Sequence, residues 1–397
     1  MMTDGALEED LGGRIAALVQ NAYQKLGPAC KPVVRSNGLK EWTVLAGTVA
    51  VSTDKASGKS QFRLISIGTG VKALPDVVLA RSQGKMVHDC HAEILALRGL
   101  NTVILEHINY LKKNPLRSSD LIEKGSTGAY AFKNKWELAL YISTLPCGDA
   151  SMIALSKTAQ AECDEYRRLS FQESDRIQWI DEKIRTIIRG RFNYGTIGVV
   201  RTKPGRYDSQ ITYSKSCSDK LCAIQVTSVL NSLTWELMEA PLFLKYLVIP
   251  KETHPQDLRR SFRDRLAPMS CRPLEFLTCT RSFCDGKSDS TDDPSSMACV
   301  KLFIDLPSVG NIEQAILNGV RNGFYTKDNK PLRTNCEPIV SRYAQWKLFT
   351  EIRPELSQST YLAFKAGQDT RNKLICDVKR QLSPDGWIRT CKDDCQL

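Results

Sequence analysis

The segment MVHDCHAEILALRGLN, residues 86–101, holds two of the chain's four histidines, His88 and His91, with Glu93 two residues past the second. A neutral imidazole is a common metal ligand. A carboxylate two positions further on can reach a water on the metal without binding the metal itself, and can carry that water's proton. The H-x-E pair alone is a weak signal, but its setting strengthens it. Ile94, Leu95, Leu97, Val103, Ile104, Ile108 and Leu111 recur at three- to four-residue spacing, which predicts a helix to about Lys113 with Asp89 as its N-cap. His91 and Glu93 therefore stand at a helix start.

Two more metal-capable side chains stand at similar places. WELALYIST (136–144) reads as a strand, and PCGDASMIALS turns from it directly into a helix, with Cys147 at the turn. Cys217 opens a helix expected over CSDKLCAIQVTSVLNSLTWELM. Helix starts that converge can bring an imidazole and two thiolates together, and zinc accepts that mixture while keeping a fourth position for water. H-x-E followed by P-C is the arrangement of zinc nucleobase deaminases. The usual pattern ends P-C-x-x-C, whereas Pro146 and Cys147 are followed by Gly148, Asp149 and Ala150. The second thiolate must come from elsewhere; Cys217 is the best candidate, although spacing alone does not select it over Cys222. His88 reads as structural or surface, and Cys90, Cys163 and Cys222 as buried small hydrophobes. Cys391 and Cys395 form a C-x3-C pair with no second pair near it, a weak metal signal.

The elements that must position these residues interleave along the whole chain. Residues 6–26 have helical periodicity; WTVLAGTVAVS and QFRLISIGTG read as strands around the turn KASGKS. Residues 155–192 read as a charged, exposed helical stretch and RTKPGRYDSQ as a basic loop. LFLKYLVIP and KLFIDLP (301–307) read as strands, and residues 341–352 and 360–380 as helices. DGKSDSTDDPSSM (285–297) reads as a mobile loop. No composition break splits the chain, so a single α/β domain over 1–397 is expected. A hydrophobic content of 42% suffices for a sizeable core, and no apolar run predicts a membrane span. The acidic start MMTDGALEEDLGG has no secretory apolar segment, so an intracellular protein, nuclear or cytoplasmic, with reduced thiols is expected. The net charge of +11, spread along the chain, suits a polyanionic partner such as nucleic acid.

DCHAE, STLPCGD, RTKPGR and SCSDKL, in this order, resemble the adenosine deaminases acting on RNA and the eukaryotic tRNA adenosine deaminases, over nearly the whole chain. RTKPGR and the length are most similar to the branch that makes inosine beside the anticodon of alanine tRNA; the chain has no room for separate duplex-RNA-binding domains. The resemblance implies a cytidine-deaminase-like α/β fold, a mixed sheet flanked by helices, extended by a C-terminal helical region that encloses inositol hexakisphosphate. It implies a zinc ion held by His91, Cys147 and Cys217, with Glu93 as proton shuttle, and hydrolytic deamination of adenosine to inosine in tRNA at the position 3′ of the anticodon. The inositol phosphate ligands it implies are Arg98, Lys220, Ser232, Tyr361, Lys365 and Trp387, with Arg342 and Lys373 matched less closely. Leu97 and Ala223 stand where relatives often carry arginine. Lys72, Lys203 and Arg206 lie in segments that the family places at the pocket mouth, where they would contact substrate phosphates. No obligate protein partner is implied. The competing readings are deamination of another RNA or a free nucleoside, and a silent RNA-binding scaffold with structural zinc.

Overall fold

The computed structural model describes residues 10–54, 56–154, 179–190, 195–203, 210–251, 253–267, 269–327 and 330–397. Its centre is a mixed eight-stranded sheet. The strands are β1 (Leu45–Thr53), β2 (Ser60–Thr69), β3 (Glu137–Ile142), β4 (Leu244–Pro250), β5 (Glu275–Cys279), β6 (Met297–Leu302), β7 (Ile312–Leu317) and β8 (Val320–Arg321). Their spatial order is β5-β4-β3-β1-β2-β6-β7-β8. β3, β4 and β5 run parallel, and the remaining neighbours are antiparallel.

Near-continuous burial, from Leu45 to Val51 in β1 and from Leu138 to Ile142 in β3, fits their places mid-sheet. Along β3, Leu138, Leu140 and Ile142 enter one core, while Ala139 and Tyr141 enter the other. Helix α1 (Leu11–Gln24), capped by Asp10 through the Gly13 N–H at 2.8 Å, covers the second face with Ile15, Ala16, Val19 and Tyr23. Helix α2 (Ala92–Lys113) covers the first face with Leu95, Ala96, Leu100, Val103 and Ile104. It lies unusually close to the sheet. A Cβ on Gly68 would sit 2.6 Å from the Ala92 carbonyl oxygen, and Ser66 Oγ donates to the Ala96 carbonyl at 2.7 Å. This close approach fixes the start of α2, and with it His91 and Glu93.

Further helices among the described residues are α3 (Cys217–Thr227), α4 (Ser232–Leu237), α5 (Pro255–Phe262), α6 (Arg342–Ile352), α7 (Tyr361–Ala366) and α8 (Asp369–Leu382). α6 packs on α2, and α8 packs on α3. Among the described residues no helix is long and apolar enough to cross a membrane.

Several expectations need correction. The single helix expected after Cys217 is two, because Ser228 has φ 78 and spends its hydroxyl on Leu242 O, Leu230 N and Leu242 N; Asn231 then caps α4. The 360–380 helix likewise divides at Gly367 and Gln368. Within the stretch read as helix over 155–192, Trp179–Asp181 and Ile184–Arg189 are strands, and Val200–Thr202 pairs with the second. The β-branched run Ile184, Thr186, Ile187, Ile188 favours that outcome; residues 155–178 and 191–192 lie outside the described residues. The 285–297 segment is pinned rather than loose: Asp293–Pro294 pairs with Glu41–Trp42, and Arg35 bonds Asp293 at 2.8 Å. The strand expected from Lys301 begins earlier, at Met297, and ends at Leu302, before Asp305 turns the chain with φ 53.

Candidate active site

The strand Asp89–His91 pairs with Val71–Ala73 and leads straight into α2. His91, not Asp89, occupies the N-cap position of that helix. Asp89 instead is a buried carboxylate at the centre of the site. Its Oδ1 accepts from His91 Nδ1 at 2.9 Å, and its two oxygens accept from Lys203 Nζ at 2.9 and 2.7 Å. Lys220 Nζ also bonds Oδ2, and Ser214 Oγ approaches it at 3.3 Å. Burial opposes ionisation of Asp89, but Lys203 and Lys220 hold its pKa well below the usual carboxylate range. With Nδ1 engaged, His91 is left with Nε2 for a ligand, the orientation that a carboxylate behind a metal-binding histidine enforces.

Cys147 and Cys217 come together across 70 residues of sequence. The Cys217 N–H donates to Cys147 Sγ at 3.3 Å, and the Ser218 N–H donates to the Cys147 carbonyl at 3.0 Å. Ser218 Oγ bonds the Pro146 carbonyl at 3.1 Å and receives the Ala150 N–H at 3.2 Å. Gly148 is required at this seam. Its φ is 102, and a Cβ there would lie 2.1 Å from Ser216 Oγ. Asp149, fully buried, holds the far side of the turn by accepting from Gly198 N, Arg260 Nε and Ser261 Oγ.

The two thiols shift each other in opposite directions. A hydrogen bond from Cys217 is the main cause that lowers Cys147 well below the usual thiol value, helped against burial by Lys203 and His91. Burial first, and Cys147 second, raise Cys217 well above it. Burial and Lys203 disfavour the His91 cation, yet Asp89 and Cys147 bring its pKa up to about 9. Lys203 Nζ also donates to Cys217 Sγ at 3.2 Å. Among the described residues, no group of three or more His, Cys, Asp or Glu side chains stands arranged to hold a metal ion. Cys147 nevertheless stands next to both Cys217 and His91. Such a donor set fits zinc, whose binding displaces protons from thiol and imidazole.

Glu93 lies in the first turn of α2 and is 2% exposed. Its Oε2 has no hydrogen-bond partner among the described residues. Burial first, then the charge on Cys147, raises its pKa. A buried carboxyl oxygen without a partner beside two sulfurs is suited to accept a proton from a reactant and return it.

The other expected residues divide. Lys203 does not reach outward to a phosphate: it is 2% exposed and committed to Asp89 and Cys217, its pKa raised by Asp89 against the effect of burial. Lys72 is exposed and donates to Ser296 Oγ at 2.9 Å. Arg206 lies outside the described residues. Arg201, at the head of the basic stretch, is buried and bonds Gly190 O and Thr196 O. His88 is structural, bonding Leu74 O and Thr212 Oγ1.

Behind the site, α3, α8 and the C-terminal segment border a half-open pocket of about 180 Å³ lined by Lys215, Asp219, Lys220, Ala223, Lys379 and Trp387. Lys215 and Lys379 stand over the Trp387 ring at 5.0 and 5.6 Å. Burial, and repulsion from Lys220 and Lys379, bring Lys215 down to about 8; burial and Lys365 lower Lys379 too. Burial and Arg342 lower Arg98. Burial opposes ionisation of Tyr361, but Lys365, Arg342, a bond to Ser232 and Arg98 lower its pKa. Arg342 pairs with Asp393 at 3.0 Å and stands 5.0 Å over the Tyr361 ring. Lys373 is on the exposed side of α8; Arg371, which bonds Ser232 Oγ at 3.2 Å, and Lys379 take the inward places. The sequence reading missed Lys215 and Arg371. The inward apolar positions Ile375, Val378 and Leu382 carry the signal that separates Arg371 and Lys379 from Lys373. Leu97 packs against the main core and Ala223 lines the cavity, so neither adds charge.

Comparison with known proteins accords with this geometry. The chain is 51% identical to "tRNA-specific adenosine deaminase 1" of Saccharomyces cerevisiae, over 98% of this chain and 95% of that protein. It is 31% identical to the protein of the same name from Schizosaccharomyces pombe, over 96% and 97%. It is 25% identical to "Double-stranded RNA-specific editase B2" of Rattus norvegicus, over 68% of this chain and 34% of that one. The adenosine-deaminase (editase) domain matches residues 66–373, a span that holds His91, Glu93, Cys147 and Cys217, and the chain belongs to that family.

Proposed function

We infer that the chain converts adenosine to inosine in tRNA by zinc-dependent hydrolysis, at the position 3′ of the anticodon in alanine tRNA. The observation that carries the chemistry is the partnerless, buried Glu93 carboxyl beside the His91, Cys147 and Cys217 donor set. The full-length likeness to two tRNA-specific deaminases supports the substrate class.

His91, through Nε2, and the sulfurs of Cys147 and Cys217 would hold zinc. When bound, zinc lowers the pKa of water at its open position towards neutrality. With the metal in place, Glu93 Oε2 would take a proton from the attacking water, pass it to adenine N1, and later carry a proton to the departing amino group. Water adds at C6, the C6–N bond breaks, and inosine and ammonia leave. Asp89 keeps the His91 ring oriented, and Lys203 neutralises part of the charge on the sulfurs. An anticodon-loop adenosine is already unpaired, so extruding it into the site costs little.

The Lys215, Lys220, Lys379 and Trp387 cavity, with Arg98, Arg342, Tyr361, Lys365 and Ser232 beside it, would hold inositol hexakisphosphate. Cations that depress one another inside a fold call for a polyanion between them. Lys220 touches both places, since it lines this cavity and bonds Asp89. The substrate is tested by measuring inosine in alanine tRNA, other tRNAs, duplex RNA and free adenosine. The reading expects product in alanine tRNA; product in free adenosine or duplex RNA but in no tRNA would overturn it.

A further inference from the structure

Asp76 is a buried carboxylate that the reaction does not use, and it gathers four segments. Its Oδ1 accepts from Tyr213 N at 2.7 Å and Thr212 Oγ1 at 3.2 Å, and lies 3.5 Å from His88 Nε2. Its Oδ2 accepts from Cys391 N at 2.7 Å. The Asp76 N–H donates to the Ile211 carbonyl at 3.2 Å. Asp76 thereby ties together the backbone of segments that carry exposed side chains. Val77 and Ile211 are exposed apolar side chains, 73% and 46%. Arg389 and Lys392 are exposed cations on either side of Cys391.

This ledge adjoins the active site. His88 lies one residue before Asp89, and Ser214, three residues past Ile211, bonds Asp89 and the Lys203 N–H. Exposed apolar groups on segments tied to one that carries two exposed cations suit one occupant, a nucleotide unstacked from its neighbours: its base lies on the aliphatic groups and its phosphates meet the charges.

We propose that Val77 and Ile211 form a seat for the nucleobase next to the target adenosine, with Arg389 and Lys392 on the adjoining phosphates, all positioned by Asp76. This rests on the RNA-deaminase reading above. Once the target base has left the loop, its neighbour loses a stacking partner, and the ledge replaces that contact.

The test compares the full chain with Val77→Ser/Ile211→Ser and with Arg389→Ala/Lys392→Ala, each checked for unchanged melting and zinc content. Inosine formation is measured under single turnover on the alanine tRNA transcript and on transcripts abasic on either side of the target. Loss of one neighbouring base should slow the unmodified chain about tenfold and leave the serine variant, already slowed, without a further fall. The alanine variant should bind all tRNAs more weakly, with a log–log salt slope smaller by about 1.4 for two single-strand contacts. Equal abasic effects in both proteins, or an unchanged salt slope, would overturn the proposal. If the unmodified chain makes no inosine in any RNA, the functional reading fails, and the salt slope of tRNA binding alone decides the ledge.

Discussion

Asp89→Asn removes one charge from a place where three partners need it. Lys203 is almost without solvent and would lose contacts of 2.9 and 2.7 Å to a carboxylate. Breaking a buried pair from one side costs about 3–5 kcal/mol, because the remaining charge stays buried. The asparagine Oδ1 can still accept one bond, and the Lys220 side chain is 31% exposed, so its loss adds little. The expected loss is therefore at the lower end, about 3 kcal/mol, read as a shift of the urea midpoint at unchanged slope. His91 Nδ1 loses its charged acceptor at the same time, and zinc affinity should fall about 10- to 100-fold in a chelator competition. A variant within about 0.5 kcal/mol of the parent that binds zinc equally tightly would refute the role given to Asp89.

Other consequences are equally direct. Gly148→Ala places a Cβ against Ser216 Oγ at a φ of 102, so it should push Cys147 from Cys217 and reduce both zinc content and turnover, the latter about a hundredfold; full zinc and normal turnover would show that the seam tolerates displacement. His107, fully buried and bonded to Ser119 at 2.7 Å, has its pKa brought down to about 4 by burial. Because the folded value is below the unfolded one near 6.5, its contribution is complete above about pH 6.5 and is lost as pH falls towards 4, by about 3 kcal/mol. Urea titrations at pH 7 and 4.5 should show that part of the acid loss disappear in His107→Asn, and an identical loss in both proteins would contradict it. Protein purified without added inositol phosphates and then denatured should release an inositol polyphosphate; chains that release none yet remain folded would count against the basic cavity as its site.

How much of this was readable beforehand depended on whether the signal was local. His91 and Glu93 were legible because ligand, shuttle and helix start lie within three residues. Cys147 was legible from a strand that ends in P-C-G-D. Cys217 was not separable from Cys222 by spacing; only the fold shows Cys222 beside Arg265 on another side of α3, away from the site. The inward place of Lys203, expected to be a phosphate contact at the pocket mouth, is not legible because its partner, Asp89, is 114 residues away. Asp89 reads as a cap because it precedes the apolar repeat of α2 by a few residues, yet the chain stays extended through His91, which takes the cap position. The Ser228 break was hidden, since nothing in the sequence of Ser228 announces the hydroxyl's distant partner Leu242. Five of the eight sheet strands are legible from their apolar runs, whereas Glu275–Cys279, Ile312–Leu317 and Val320–Arg321 are not, and the strand order depends on pairings that sequence periodicity does not encode.

The most direct test of the central assignment is to measure zinc and inosine together in Glu93→Gln. The account predicts about one zinc per chain, as in the parent, with inosine formation in tRNA reduced by about 10²- to 10⁴-fold. Parent-like inosine formation in that variant would contradict it.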